Sequence, residues 1–167
     1  SWNRSYHSGT TNANFPETFY DVAVDSNDNV FAVGAWAARA TNDQDWVIKK
    51  FNSSGEEAVT GWNYTFNGQG PADSAQGIAI DSNDNIFVVG LAADGGAGAD
   101  GRLKKFNTSG AENATSWNIS WSSAGSNTDV FYDVAIDSND NVYAVGRGKH
   151  VATTSSNDDF VIKMYDP

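Results

Sequence analysis

The sequence predicts an all-β fold built from three copies of one unit, and three observations predict it. The string Asp-Ser-Asn-Asp-Asn begins at Asp25, Asp81 and Asp137, so the copies stand 56 residues apart. The segments on both sides of the string repeat as well, and they are short and rich in β-branched and aromatic residues. No segment has the period of an amphipathic helix over a useful length.

Each unit contains four predicted strands, which we name a, b, c and d in chain order. In the first unit they lie at residues 22–24, 30–34, 45–51 and 62–66. Gly, Asn, Asp or Ser residues bound each segment, as expected for short strands joined by turns. The equivalent segments of the other units are a at 78–80 and 134–136, b at 86–90 and 142–146, c at 100–106 and 159–165, and d at 117–121, with a further d-type segment at 2–6.

The repeated string is predicted to form the tight turn between strands a and b. Asn and Asp tolerate positive φ and hydrogen-bond their own backbone, so they suit a hairpin, and a hairpin makes its strands antiparallel. A calcium loop is the alternative, because oxygen-bearing side chains alternate at Asp25, Asn27 and Asn29. The Gly and Glu that an EF-hand loop needs at its sixth and twelfth places are absent, so we favour the turn.

Strands a and b are apolar at nearly every position, which predicts sheets that are covered on both faces. Stacked blades of a β-propeller provide such cover. We therefore predict a β-propeller with three four-stranded blades per chain. Residues 1–167 form one domain, or half-domain, with repeats at approximately 17–66, 73–121 and 129–167.

The sequence resembles the bacterial β-propeller repeats abbreviated SBBP, which are related in style to NHL and kelch-like propellers. The Asp-x-x-x-Asn-hydrophobic-aromatic-x-x-Gly core at 25–34, with its copies at 81–90 and 137–146, carries the resemblance. The Asp-x-x-x-Lys strand and the Ser-Gly turn after it match too, so the resemblance covers essentially the whole chain. It implies the propeller fold but no particular ligand, because such propellers host many roles.

The order of strands predicts how the chain closes. Segment 2–6 is a d-type strand without strands a to c of its own, whereas the last unit stops after strand c. Because propellers typically have about four to eight blades, we expect two copies to form a six-bladed ring. Strand exchange at the termini, the "Velcro" closure that the resemblance implies, would let segment 2–6 complete the last blade. A trimer of nine blades and a piece of a longer array are the alternatives.

Composition excludes several classes of function. The net charge of −11 opposes binding to nucleic acid and to anionic membrane surfaces. No apolar run approaches the roughly 18 residues of a membrane helix, so membrane insertion is not expected. The chain has no Cys, which excludes disulfides, thiol nucleophiles and zinc–thiolate sites.

Loop sequences indicate which face of the propeller would bind a ligand. The a–b turns are identical in the three copies, whereas the b–c and d–a loops, which share the opposite face, differ completely. Drift in unconstrained loops is the alternative explanation. The candidate ligand-binding residues of that face are Trp36, Arg39, Arg147, Lys149 and His150, and Tyr20, Gln76 and Tyr132 on the innermost strands are candidates for the channel mouth.

Charged residues also repeat in strand c, where each lysine follows an aspartate by four residues. The spacing indicates either a charged channel or a repeated structural ion pair, and we favour the ion pair. The residues concerned are Lys49, Lys104 and Lys163, with Asp45, Asp100 and Asp159 before them.

The motifs predict a non-catalytic binding or assembly module without a cofactor or a metal. His7 and His150 lie in different loops with no Ser-His-Asp pattern, and no glycine-rich phosphate loop precedes a helix. A lectin-like propeller that uses Trp36, and an enzyme or cation-binding propeller with an acidic channel, are the alternatives. The near-identical copies also fit an engineered sequence or a fragment of a larger surface protein.

The expected partners are a second copy of the chain and a glycan or protein ligand. Six Asn-x-Ser/Thr triplets are glycosylation acceptors in secreted proteins of glycosylating organisms, and they indicate an extracellular or cell-surface location. Their chance occurrence in an Asn-, Ser- and Thr-rich chain is the competing interpretation.

Overall fold

A computed structural model describes residues 1–6, 16–37, 44–58, 60–70, 73–93, 98–123, 128–149 and 158–167. These residues form eleven strands and no helix. In chain order the strands are β1 (Thr18–Val24), β2 (Val30–Trp36), β3 (Asp45–Phe51), β4 (Tyr64–Phe66), β5 (Ser74–Ile80), β6 (Ile86–Ala93), β7 (Ala99–Phe106), β8 (Ile119–Trp121), β9 (Val130–Ile136), β10 (Val142–Lys149) and β11 (Asp158–Tyr165).

The strands form three antiparallel sheets, which we name blades 1, 2 and 3. Blades 1 and 2 have four strands each, in the orders β1-β2-β3-β4 and β5-β6-β7-β8. Blade 3 has three strands, β9-β10-β11, so β11 is an edge. The first strands of successive blades contact one another, β1 with β5 and β5 with β9. This arrangement is consistent with propeller blades stacked face to face around an axis, and it confirms the all-β prediction.

The core lies between the blades because alternate residues of each strand point to opposite faces. On β3, Trp46 and Ile48 face blade 2, and both are fully buried. One apolar cluster joins blades 1 and 2, and a second, around Phe131, joins blades 2 and 3. The apolar run of strand b is explained, since β2 and β6 are buried along nearly their whole length.

The repeated string is a side-chain-bonded turn, as predicted. The Asp25 carboxylate accepts hydrogen bonds from the backbone N–H groups of Asn27 and Asn29, both at 2.9 Å. The fourth residue of the string has positive φ in all three copies, as at Asp28 with φ 60°. Every oxygen of Asp25 that could have served as a cation ligand is thus engaged by an amide, because Asn29 also donates its Nδ2 to the second oxygen, at 2.8 Å.

The fifth residue of each strand b is a glycine because two backbones approach there. A Cβ on Gly34 would lie 1.9 Å from the Thr18 carbonyl oxygen of strand β1. The β1–β2 register shifts at the same place, between Phe19 and Asp21. A β-bulge of this kind brings the backbones too close for any side chain at residue 34.

A tryptophan that lies outside the sheets packs between each pair of neighbouring blades, Trp62 between blades 1 and 2 and Trp117 between blades 2 and 3. Trp62, just before β4, packs edge-on against Phe31 at 4.8 Å between ring centroids and reaches Phe106 of blade 2 at 6.2 Å. Its indole N–H donates to the Thr108 carbonyl at 3.0 Å. Trp117 repeats the arrangement against Phe87 and, in blade 3, Tyr165.

The a–b turns of neighbouring blades are joined by serine–aspartate hydrogen bonds. Ser26 donates its N–H and its hydroxyl to Asp84, at 2.9 and 2.5 Å. Ser82 donates in the same way to Asp140, at 3.0 and 2.7 Å. These bonds hold the pKa of both carboxyls below its usual value, through the Ser26 hydroxyl at Asp84 and the Ser82 backbone N–H at Asp140.

Replacing Ser82 by alanine removes its hydroxyl hydrogen bond to Asp140 but keeps the backbone one, so the pKa of Asp140 should rise only part of the way toward the ordinary value of about 3.9. The pKa of Asp84 should stay unchanged. Because a lowered folded-state pKa stabilises the fold only while the group is ionised, this contribution is complete above about pH 4. It disappears as the pH falls through the folded-state pKa. Carboxyl-resolved NMR titration of the wild type and the variant measures both residues. An Asp140 midpoint that does not move would contradict the assignment.

Candidate functional site

The outward face of blade 3 carries large apolar side chains that nothing in the described chain covers. Ile162 is 72% exposed, whereas Ile48 and Leu103, at the same position of blades 1 and 2, are 0% exposed. Phe160 is fully exposed, although its counterpart Trp46 is buried and donates its indole N–H to the Leu91 carbonyl of the next blade. The repeat thus places core residues on a surface.

The outward face of blade 1 shows the complementary situation. Val22 is 58% exposed, whereas Ile78 and Val134 at the same position are each 5% exposed. Phe19 is also exposed, and its counterpart Phe131 is fully buried. Blade 1 therefore exposes the face with which blades 2 and 3 pack against the blade before them. Blade 3 exposes the face with which blades 1 and 2 pack against the blade after them.

The N-terminal segment lies on the face of blade 1. Trp2 packs against Phe51 at 5.8 Å, and Tyr6 contacts Phe51 and Phe19 at 5.7 and 6.3 Å. The ammonium of Lys49 lies 4.8 Å from the Tyr6 ring, as Lys104 lies 4.0 Å from Phe66. The segment therefore occupies the place of a strand d from a preceding blade. It forms no strand within the single chain, because no strand c lies beside it.

Two of the three repeated lysines of strand c, Lys49 and Lys104, form ion pairs, but their partner is a glutamate and not the aspartate four residues earlier. Lys49 contacts Glu57 at 2.5 Å and the Asn63 side-chain oxygen at 2.9 Å. Lys104 repeats this arrangement with Glu112 at 2.7 Å and Asn118 at 3.1 Å. The spacing was misleading because β3 runs straight for those four residues, whereas the link to strand d folds back onto the lysine.

A tyrosine extends the second of these pairs. The Tyr64 hydroxyl donates to the other oxygen of Glu112 at 2.7 Å. Burial, and then this hydrogen bond and the charge of Glu112, raise the pKa of Tyr64 well above its usual value. The group stays protonated at any physiological pH and has a structural role.

The predicted ligand-binding residues do not converge on one place. Trp36 lines a cleft beside blade 1, and Lys149 lines a second cleft between blades 2 and 3. Arg147 pairs with Asp158 on the neighbouring strand. Arg39 and His150 lie outside the described residues.

The three residues predicted for the channel mouth do lie on the first strands of their blades. Tyr20 and Tyr132 are both about half exposed on β1 and β9. Gln76 on β5 donates its side-chain amide to the Ser74 hydroxyl at 2.7 Å. They share one position of the repeat, and whether they bind a ligand stays a prediction.

The two clefts are small and have aromatic walls. The first has a volume of about 240 Å³, and Tyr6, Phe19 and Trp36 contribute rings to its lining. The second has a volume of about 180 Å³ and is lined by Trp121, Ser122, Ser123 and Lys149 among others. Sequence reasoning found Trp36 and Lys149 but missed Tyr6 and Trp121, which only the stacking of strand d on the next blade brings into place.

Within the described ranges no three His, Asp or Glu residues are grouped so as to hold a metal ion. The same residues contain no helix of sufficient length and apolar character to cross a membrane.

Comparison with known proteins bears on the repeat. Residues 66–93, which run from the end of β4 through β6, match the family model described as "Beta-propeller repeat", SBBP. No curated protein matches the chain. The match falls on the predicted unit, with the a–b turn at Asp81 near its centre. With the repeated antiparallel sheets, it supports the placement of this chain in a β-propeller repeat family.

Proposed function

We propose that the chain is a non-catalytic assembly module whose two uncovered blade faces join a second copy, giving a homodimeric ring of six blades. The observation that carries the proposal is the contrast between Ile162 and its buried counterparts Ile48 and Leu103. The same contrast at Val22 marks the complementary face. Monomers rarely expose contiguous apolar patches of this kind, which mark interaction sites. We propose a second copy as the occupant of the uncovered face of blade 3. Blade 1 of that copy exposes the same repeat positions that blades 2 and 3 use to pack against the blade before them.

Strand exchange at the termini is part of the same proposal, and the strand register of the repeat supports it. Within blade 1, Trp46, Val47 and Ile48 of β3 pair with Phe66, Thr65 and Tyr64 of β4. The same register on blade 3 pairs Val161 of β11 with Ser5 of a second copy. Among the described residues no strand pairs with the outer edge of β11, and an added strand would satisfy its backbone groups.

Two side-chain interactions complete the same pattern. Among the described residues, Lys163 contacts the Trp121 ring but no acceptor like those of Lys49 and Lys104. Asn3 holds the repeat position of Asn63 and Asn118, so Asn3 of a second copy supplies the missing side-chain oxygen. In the same way, we expect Ser138 to donate to Asp28 of a second copy, because Ser26 donates to Asp84 at the equivalent position of the repeat.

A cysteine pair tests the strand exchange directly. The chain has no native Cys, so Ser5→Cys with Val161→Cys introduces the only two thiols. We expect mild oxidation to give a covalent dimer on a non-reducing gel, because directly opposed residues of paired strands come close enough for a disulfide.

The matched control carries Ser5→Cys with Ala114→Cys, since Ala114 is exposed on the c–d link of blade 2. The control should stay monomeric on the same gel. A covalent monomer, a ladder of polymers, or equal cross-linking of both variants would contradict strand exchange between two copies.

We further propose an extracellular or cell-surface location for this ring. The Asn-x-Ser/Thr triplets support it, and several of them lie on exposed segments, such as Asn113 on the c–d link of blade 2.

A further inference from the structure

Two clefts occupy equivalent places in the repeat. Each lies where strand d of one blade crosses strands b and c of the next. In the first cleft the wall is Tyr6 and the floor is Val47; in the second the wall is Trp121 and the floor is Val161. Trp36 and Gly148 hold the same position at the end of strand b. A cavity that recurs at one repeat position, with an aromatic wall each time, is a property of the unit and not of one loop.

The third equivalent place is filled by the protein itself. Between blades 1 and 2 the floor position is Arg102 in place of valine, and the wall is Phe66. The Arg102 guanidinium lies 5.9 Å from the Phe66 ring centre. The arginine side chain therefore shows that a planar polar group fits the space at cation–π distance from an aromatic ring.

The linings favour a neutral ligand with many hydroxyl groups. The lining of the first cleft mixes charges of both signs, from Arg4, Lys49 and Glu17, with the hydroxyls of Ser5 and Thr18. The second mixes Lys149 and Asp159 with Ser122 and Ser123. Paired charges and hydroxyls donate and accept hydrogen bonds without selecting one net charge, while the electron-rich ring faces attract C–H groups.

The volumes of the two clefts narrow the class of ligand further. Sites for drug-sized ligands measure about 300–1,000 Å³, and these clefts are smaller. We propose that the two clefts each bind one pyranose ring of a saccharide, stacked on Tyr6 in the first cleft and on Trp121 in the second. The inference goes beyond assembly and does not depend on it, because the second cleft lies between blades 2 and 3 of one chain.

The natural arginine supplies the test. Val47→Arg and Val161→Arg each copy into one cleft the side chain that fills the middle place, and Arg102→Val empties the middle place. The probes are the methyl pyranosides of glucose, galactose, mannose and N-acetylglucosamine, followed by saturation-transfer NMR and by titration. We expect at least one probe to bind two sites per chain, each single arginine variant to lose one site, and the double variant to lose both.

The gain of a third site in Arg102→Val would be the positive control, and Ala114→Arg, on an exposed link, should leave binding unchanged. Binding by none of the four probes at up to tens of millimolar would overturn the proposal. Undiminished binding by the double arginine variant would overturn it as well. The molar mass of every variant is recorded in parallel, so that a failure of ring closure is distinguished from a failure of saccharide binding.

Discussion

Replacing Ile162 by glutamate should convert the proposed dimer into a folded monomer. In the proposed ring this side chain takes the buried position of Ile48 and Leu103, so the substitution places an unpaired carboxylate in an apolar interface. Leaving a charge buried and unpaired costs several kcal/mol, and we expect the dimer dissociation constant to rise at least about 100-fold. Sedimentation equilibrium over a range of concentrations measures the change.

The fold of the variant should persist, because Ile162 is mostly exposed in the single chain. Ala114→Glu is the matched control, since it adds the same charge at an exposed residue outside both faces. The dissociation constant of that control should stay within a few-fold of the wild-type value. Equal effects of the two substitutions would show that net charge, and not burial at blade 3, governs association.

Trp62→Ala should lower the free energy of unfolding by about 3–5 kcal/mol, the usual cost of removing a large buried aromatic. Trp62 is 3% exposed, contacts Phe31 and Phe106, and donates a hydrogen bond to Thr108. Truncation leaves a cavity between blades 1 and 2 and a carbonyl without its donor. Urea unfolding followed by tryptophan fluorescence and circular dichroism gives the difference.

The repeat offers its own control, because Trp2 holds the same position and is 42% exposed in the single chain. In an Ile162→Glu background, which should remove association, Trp2→Ala should lower the free energy of unfolding by less than Trp62→Ala does, because less of its surface is buried. In the wild-type background, Trp2→Ala should also weaken the proposed dimer, in which the segment lies between two copies. If both substitutions lowered the free energy of unfolding equally in the monomeric background, the result would contradict the placement of segment 1–6 as a strand d with no strand c beside it.

Most of the fold could be predicted because the unit repeats. The Asp25 string occurs three times and predicts the same turn each time, and the segments around it have the strand pattern in every copy. Each local signal is weak, but its occurrence in three copies makes the prediction strong. Strand d is the exception, since only Tyr64–Phe66 pair with β3 while Trp62 leaves the sheet to join the next blade. That departure depends on tertiary packing, which a local propensity does not report.

The site was less predictable, and the reason lies in contacts between units. The spacing of Asp45 and Lys49 indicated a pair, but Glu57 reaches the ammonium because the c–d link folds back. Trp36 was found as an exposed aromatic of a variable loop. Tyr6 was missed as its neighbour, because the two residues meet only after the N-terminal segment packs on blade 1. Residues that come together only when blades stack have no characteristic spacing in the sequence, so no motif reveals their contact.

The molar mass in solution tests the central claim most directly. Multi-angle light scattering at several concentrations should give about twice the chain mass of 17.8 kDa, corresponding to two half-rings joined face to face. A value of one chain mass at every concentration, with Phe160 and Ile162 left in water, would contradict the account. A value of three chain masses would keep the stacking of blades and refute the six-bladed ring.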